Sequence, residues 1–182
     1  MVTASEAFRM VEQFPASTEE HKSRELILAL LELTGSPFSR DQFEPGHITC
    51  SAVVFAPGRD RVLLMHHHRH KRWLLPGGHV EADDVALSVT AAREAAEETA
   101  VRIAKTIGLV SMDVHAIPAR KHKHEPYHLH HDLIFAFEAD SDAMSSSEEA
   151  PEVAWAQPAD LARYRLQHSI AHALVRAGFV GA

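Results

Sequence analysis

The chain has 182 residues, enough for one full-sized domain with a sizeable core, and its 46% hydrophobic and 24% charged residues are ordinary for a globular protein. A net charge of −7 argues against general binding to a nucleic-acid polymer or an anionic membrane, and the apolar runs, such as residues 26–31, are too short to cross a bilayer. With Cys50 as the only cysteine and no secretory pattern in MVTASEAFRM, the expectation is a reducing, cytoplasmic location, with no intrachain disulfide and no multi-cysteine zinc site.

Residues 1–45 read as a helical N-terminal extension, and residues 46–182 as the domain that carries function. Ser17-Thr-Glu-Glu20 has the form of a capping box, and Leu26, Ile27, Leu30 and Leu31 follow at helical spacing before Gly35 and Pro37. Beyond Pro45-Gly46 the period changes. Residues 48–55 and 61–66 predict a hairpin around Pro57-Gly-Arg-Asp60. Trp73-Leu-Leu then runs into the turn Pro76-Gly77-Gly78, and Trp73 reads as core or as a stacking platform for a base. Asp83 or Asp84 is placed to cap a helix reaching Thr99, with Val85, Val89, Ala92 and Ala96 as its expected core face. Strands are predicted over 103–114, 128–137 and 152–156, and a last helix over 166–177. The alternation predicts an α/β/α sandwich around a mixed β-sheet.

Charge is unevenly spread. Residues 59–72 hold five Arg/Lys against one Asp, and residues 81–98 hold six Asp/Glu against Arg93. A metal and a phosphate-bearing substrate would suit that pairing, and so would two solvated faces of opposite sign. In Arg93-Glu94-Ala-Ala-Glu97-Glu98, helical spacing puts Glu94, Glu97 and Glu98 on one edge. Such an edge suits a hard divalent cation, although a solvated Glu-rich helix has the same composition. Histidine is the anomaly at 15 residues, ten of them in residues 66–70 and 115–131. His128, His130 and Asp132 alternate onto one strand face, which fits a transition-metal site, a substrate pocket or an ordinary polar strand end. Arg72, Arg120, Lys121 and Lys123 are candidate phosphate contacts, or solvated loop charges.

The stretch Pro76-Gly-Gly-His-Val-Glu81, followed by an acidic segment and REAAEET, resembles the Nudix box. Trp73-Leu-Leu before it, and Val153-Ala-Trp155-Ala with Pro158-Ala-Asp-Leu161 far downstream, extend the resemblance over roughly residues 47–165. The resemblance implies a Nudix-type fold and a Mg²⁺-dependent (or Mn²⁺-dependent) hydrolase that cleaves a diphosphate linkage in a nucleotide derivative or similar small molecule, as monomer or homodimer. It implies metal held by Glu94, Glu97 and Glu98 with the Gly77 carbonyl, and Glu94, Glu98 and Arg93 as catalytic residues. Arg72, Arg120, His128, His130 and Asp132 are expected to line the substrate site. Three departures stand out: Asp84 replaces a box glutamate, eight rather than seven residues separate it from Arg93, and Ala100 replaces the closing glycine. They leave open a weakened nucleotide-binding or sensor domain.

Overall fold

The computed structural model describes residues 2–120 and 124–180; Lys121 and Lys123 lie outside them. Two helices, α1 (Ala4–Gln13) and α2 (His21–Leu33), precede strand β1 (Gly46–Phe55). The chain continues through β2 (Val62–His67), β3 (Arg72–Leu74), β4 (Gly77–His79) and helix α3 (Leu87–Thr99). It then forms β5 (Ile103–Ile117), β6 (His128–Ala139), β7 (Glu152–Ala156), α4 (Leu161–Tyr164) and α5 (His168–Arg176). No described helix is long and apolar enough to cross a membrane.

The strands form one mixed sheet in the order β3-β2-β1-β6-β5, with β4 also on β1 and β7 also on β2. The expected hairpin is present, with Phe55 opposite Val62. The pairing that organises the molecule is parallel: β1 runs beside β6 from Gly46 opposite Leu129 to Phe55 opposite Glu138. Period-2 alternation then sorts β1 into two faces. Ile48, Cys50, Ala52 and Val54 join Leu133, Phe135 and Phe137 of β6 in a core shared with α1, α2 and α3. Val53 and Phe55 join Ile134 and Ala136 in a second core, closed by Tyr164, Ile170 and Leu174. Helices thus cover both faces, as an α/β/α sandwich requires.

A capping box opens α1, and a second box-like pair closes the turn that leads into α2. Thr3 and Glu6 exchange side-chain-to-backbone hydrogen bonds at the start of α1. Ser17 and Glu20 make the reciprocal pair expected of them. The buried Glu20 carboxylate also accepts from Ser111 Oγ of β5 at 2.6 Å and lies 3.5 Å from Arg176 Nε of α5. These helices are therefore joined to the sheet by a buried charge as well as by Val11, Ile27 and Leu30.

Two expectations about α3 are corrected. Its N-cap is Ala86, without a side-chain cap, and neither Asp83 nor Asp84 serves. The buried face is Leu87, Thr90, Ala91, Ala95, Glu98 and Thr99, whereas Val85 is 69% exposed, Val89 41% exposed, and Ala96 exposed. The helix packs on β1 and β4, where small side chains permit close approach and a carboxylate is carried inward. Of the four positions expected to face the core, only Ala92 packs against it, partly buried.

Candidate functional site

The glycines Gly77 and Gly78 sit in β4, antiparallel to Ser51 and Cys50 of β1, with α3 across them. A Cβ on Gly78 would lie 2.5 Å from the Glu94 carboxylate, and one on Gly77 would lie 2.6 Å from the Cys50 carbonyl oxygen. A side chain at position 77 would meet the β1 backbone, and one at position 78 would push the Glu94 carboxylate from its seat. The Gly77 N–H donates to Glu98 Oε2 at 2.9 Å. Glu94 and Glu98 are thus seated against the glycine pair. Glu97, with its side chain 57% exposed, turns outward.

Arg93 organises the other side. Its NH1 donates to Glu94 Oε1 at 2.9 Å and Glu97 Oε2 at 3.2 Å, so the guanidinium bridges two of the three glutamates. Its Nε and NH2 grip the two oxygens of Asp84 at 3.3 and 3.1 Å, and NH2 also donates to the His79 carbonyl at 2.8 Å. Asp84 is buried and accepts further from the Glu81 N–H and Thr90 Oγ1. Burial alone would raise its pKa; the Arg93, Glu81 and Thr90 bonds outweigh that and hold it below the ordinary carboxylate value. The residue standing where the box has Glu therefore anchors the arginine. The segment from Asp84 to Arg93, one residue longer than in the box, enters α3 at Leu87. Ala100 occupies the left-handed position expected of a glycine, φ 55°, and its N–H closes on the Ala96 carbonyl. With all three departures present, Glu94 and Glu98 still face the glycine pair.

Burial acts on both inward-facing glutamates. Burial raises Glu94, against the opposing hydrogen bond and charge of Arg93. Burial pushes Glu98 up to about 8 against its Gly77 hydrogen bond, helped by the charges of Glu94, Glu149 and Glu97. A buried carboxylate short of positive charge, beside a second carboxylate at a glycine pair, fits a hard divalent cation with oxygen ligands.

The second constellation is larger than the sequence showed. His128 and His130 do share a face of β6, and the parallel register sets His47 of β1 opposite His130. His79 of β4 pairs with Thr49, two residues along. The rings of His47, His79, His128 and His115 all lie within 5.6 Å of the His130 ring or 5.1 Å of the His47 ring, centroid to centroid. Burial and neighbouring imidazoles push His79 to about 4 and His130 to about 2, so these rings are neutral at physiological pH. Asp132 spends Oδ1 on Thr49 Oγ1 at 2.9 Å, and burial raises its pKa. The residues 66–68 stay outside this group: His66 packs edge-on against Trp73, and His67 against His70. Trp73 is half-buried, edge-on to Tyr164 in the second core. Arg120 lies 3.6 Å from Glu125 at the rim of the histidine pocket, and Arg72 is exposed at the start of β3.

A family model described as the NUDIX domain matches residues 45–176. The chain belongs to the Nudix family. It is 34% identical over 113 residues to the probable DHNTP pyrophosphohydrolase of Lactococcus lactis subsp. cremoris, covering 62% of this chain and 66% of that protein, just under two thirds of its length. Among solved structures it resembles the NUDIX domain of Shewanella oneidensis NrtR complexed with ADP ribose, with TM-score 0.57, 22% identity, and coverage of 82% of this chain and 94% of that one. A Caenorhabditis elegans Ap4A hydrolase binary complex aligns with TM-score 0.53 and 15% identity over 72% of this chain and 94% of that one. These likenesses fix the Nudix fold, with the Nudix box spanning β4, its following loop and α3.

Proposed function

We propose that this Nudix chain is a hydrolase that cleaves a diphosphate linkage in a nucleoside diphosphate derivative, using Mg²⁺ or Mn²⁺. The observation that carries the reading is the pair Glu94 and Glu98, seated against Gly77 and Gly78. The pyrophosphohydrolase name of the Lactococcus relative supports the reaction class. We place the protein in the cytoplasm on the free, buried Cys50.

Glu94, Glu97, Glu98 and the Gly77 carbonyl would hold the metal, which supplies charge neutralisation at the diphosphate and acidifies a water. Asp84 and Arg93 position Glu94, and Arg93 keeps β4 against α3 by its bond to the His79 carbonyl. The Gly77 N–H occupies one Glu98 oxygen, leaving the other to bind metal or accept a proton from the attacking water. Arg72, exposed at the start of β3, is the proposed phosphate contact.

The test is a panel of nucleoside diphosphate sugars, dinucleoside polyphosphates and nucleoside triphosphates, assayed with Mg²⁺ and with Mn²⁺ in ¹⁸O-labelled water. The expected result is turnover of at least one, with label in a phosphoryl product and loss of rate in Glu98→Gln. Absence of metal-dependent cleavage across the panel, or a Glu98→Gln rate within twofold of the parent, would overturn the reading.

A further inference from the structure

The histidine cluster contains an arrangement that packing does not explain. His47, His79 and His130 each present a ring nitrogen, and the three atoms lie within 4.8 Å of one another. They come from three paired strands, β1, β4 and β6, so the sheet itself fixes their spacing. His47 is 1% exposed. Its Nδ1 lies 3.1 Å from the Gln42 carbonyl oxygen, which can only accept, so Nδ1 carries the proton and Nε2 presents a bare lone pair. That Nε2 is buried and has no hydrogen-bond partner among the described residues. An unsatisfied buried acceptor destabilises a fold by roughly 1–3 kcal/mol. A ring held by a backbone carbonyl at one nitrogen, with the other free, is how a metal-binding histidine is oriented.

We propose that His47, His79 and His130 form a transition-metal site of the zinc class, using none of the box glutamates. Zinc–nitrogen bonds of about 2.1 Å in a tetrahedron place ligand nitrogens about 3.4 Å apart, so small ring rotations close the set. All three ligands are imidazoles, which suit zinc and its neighbours rather than Mg²⁺. Three histidines would leave a fourth position, and the three line a small cavity of ≈ 90 Å³ together with Arg40, Arg69, Arg120 and Glu125, the ion-pair partner of Arg120. That volume admits several waters, and the arginines favour an anionic oxygen there. His128, with Nδ1 on the Pro126 carbonyl, stacks on His47 and walls the site. The ion would also clamp β4, whose His79 carbonyl takes the Arg93 hydrogen bond.

The test uses the full chain, stripped with a chelator and then given Zn²⁺ alone. Zinc that survives competition with a chelator of nanomolar affinity is counted by elemental analysis, which discounts weak binding at surface histidines. Cobalt substitution adds the intense visible bands of a four-coordinate ion. The expected result is one equivalent in the parent and in the Glu94→Gln/Glu98→Gln double variant. His79→Ala and the milder His130→Gln should each weaken zinc at least a hundredfold and lose the cobalt bands. Circular dichroism checks that they fold. No competition-resistant zinc in the parent, or zinc kept by both histidine variants, would overturn the proposal. Zinc lost only in the glutamate variant would do the same. None of these outcomes depends on the hydrolase reading.

Discussion

Replacing Glu98 with Gln separates the energetics of the fold from the chemistry of the site. Glu98 is 5% exposed, and its carboxyl is pushed up to about 8 from an ordinary 4.5, by burial first and then by the charges of Glu94, Glu149 and Glu97. In the unfolded chain it ionises near the ordinary value. A carboxyl raised on folding contributes its full stability below the unfolded pKa and loses it as pH climbs toward the folded one. At about 1.4 kcal/mol per pH unit, the climb from pH 4.5 to pH 7 removes roughly 3 kcal/mol from the metal-free protein. Gln stays neutral throughout and keeps an oxygen for the Gly77 N–H. Metal-free Glu98→Gln should therefore match the parent near pH 4.5 and exceed it by roughly 3 kcal/mol at pH 7, a Tm rise of roughly 6–10 °C for this chain length. Mg²⁺ should stabilise the parent and not the variant, and turnover should fall at least a hundredfold. Urea and thermal melts in chelator from pH 4.5 to 8, repeated with Mg²⁺, read all of this. A variant that melts with or below the parent at pH 7 and 8 would refute the claim that Glu98 is the site's uncompensated charge.

Further outcomes are expected from the same geometry. Glu94→Gln should fold normally and lose most turnover; rates within twofold of the parent on a good substrate would remove Glu94 from the site. Gly78→Ala places a Cβ 2.5 Å from the Glu94 carboxylate, so kcat should drop at least tenfold, and an unchanged kcat would show that the close approach is dispensable. Ala100→Gly relieves a left-handed alanine at the end of α3 and should raise stability by about 1 kcal/mol without changing kcat, as read by urea melts. Hydrolysis should rise from pH 6 toward an alkaline optimum, since protons compete with metal for Glu94 and Glu98; an optimum below pH 6 with saturating Mg²⁺ would contradict this chemistry.

Features that rest on local rules were legible in the amino-acid sequence. Turn residues announced the β1–β2 hairpin, Ser17 and Glu20 announced their box, and Gly77-Gly78 with the glutamate spacing of α3 announced the site's centre. The buried stripe of α3 was misread because Val85 and Val89 outrank Ala91, Ala95 and Glu98 in hydrophobicity, while the packing surface demands small side chains and an inward carboxylate. His47 and His79 escaped notice because each stands alone in the chain, far from the histidine-rich runs. Their meeting with His130 follows from the parallel register of β1 on β6, which no local pattern encodes. One signal was available: the polar residues His47, Thr49 and Ser51 alternate with Ile48, Cys50 and Ala52, marking a strand with one face reserved for polar partners.

That parallel pairing also decides when the functional surface first exists. During synthesis the β1–β2 hairpin, the glycine pair and α3 all leave the ribosome before β6, and β1 has no partner on that side until residues 129–138 follow. Closing so long a connection is entropically steep to begin and cheap to lengthen, roughly 0.6 kcal/mol per doubling, so the intervening loops are free to vary while the two strand ends are not. A nascent chain halted before residue 128 holds every box glutamate yet only two of the three clustered histidines, His47 and His79, with no β6 to align them. A cut in the acidic, serine-rich segment 140–149, by contrast, falls after every strand that builds either cluster, and the two fragments should stay associated with both intact.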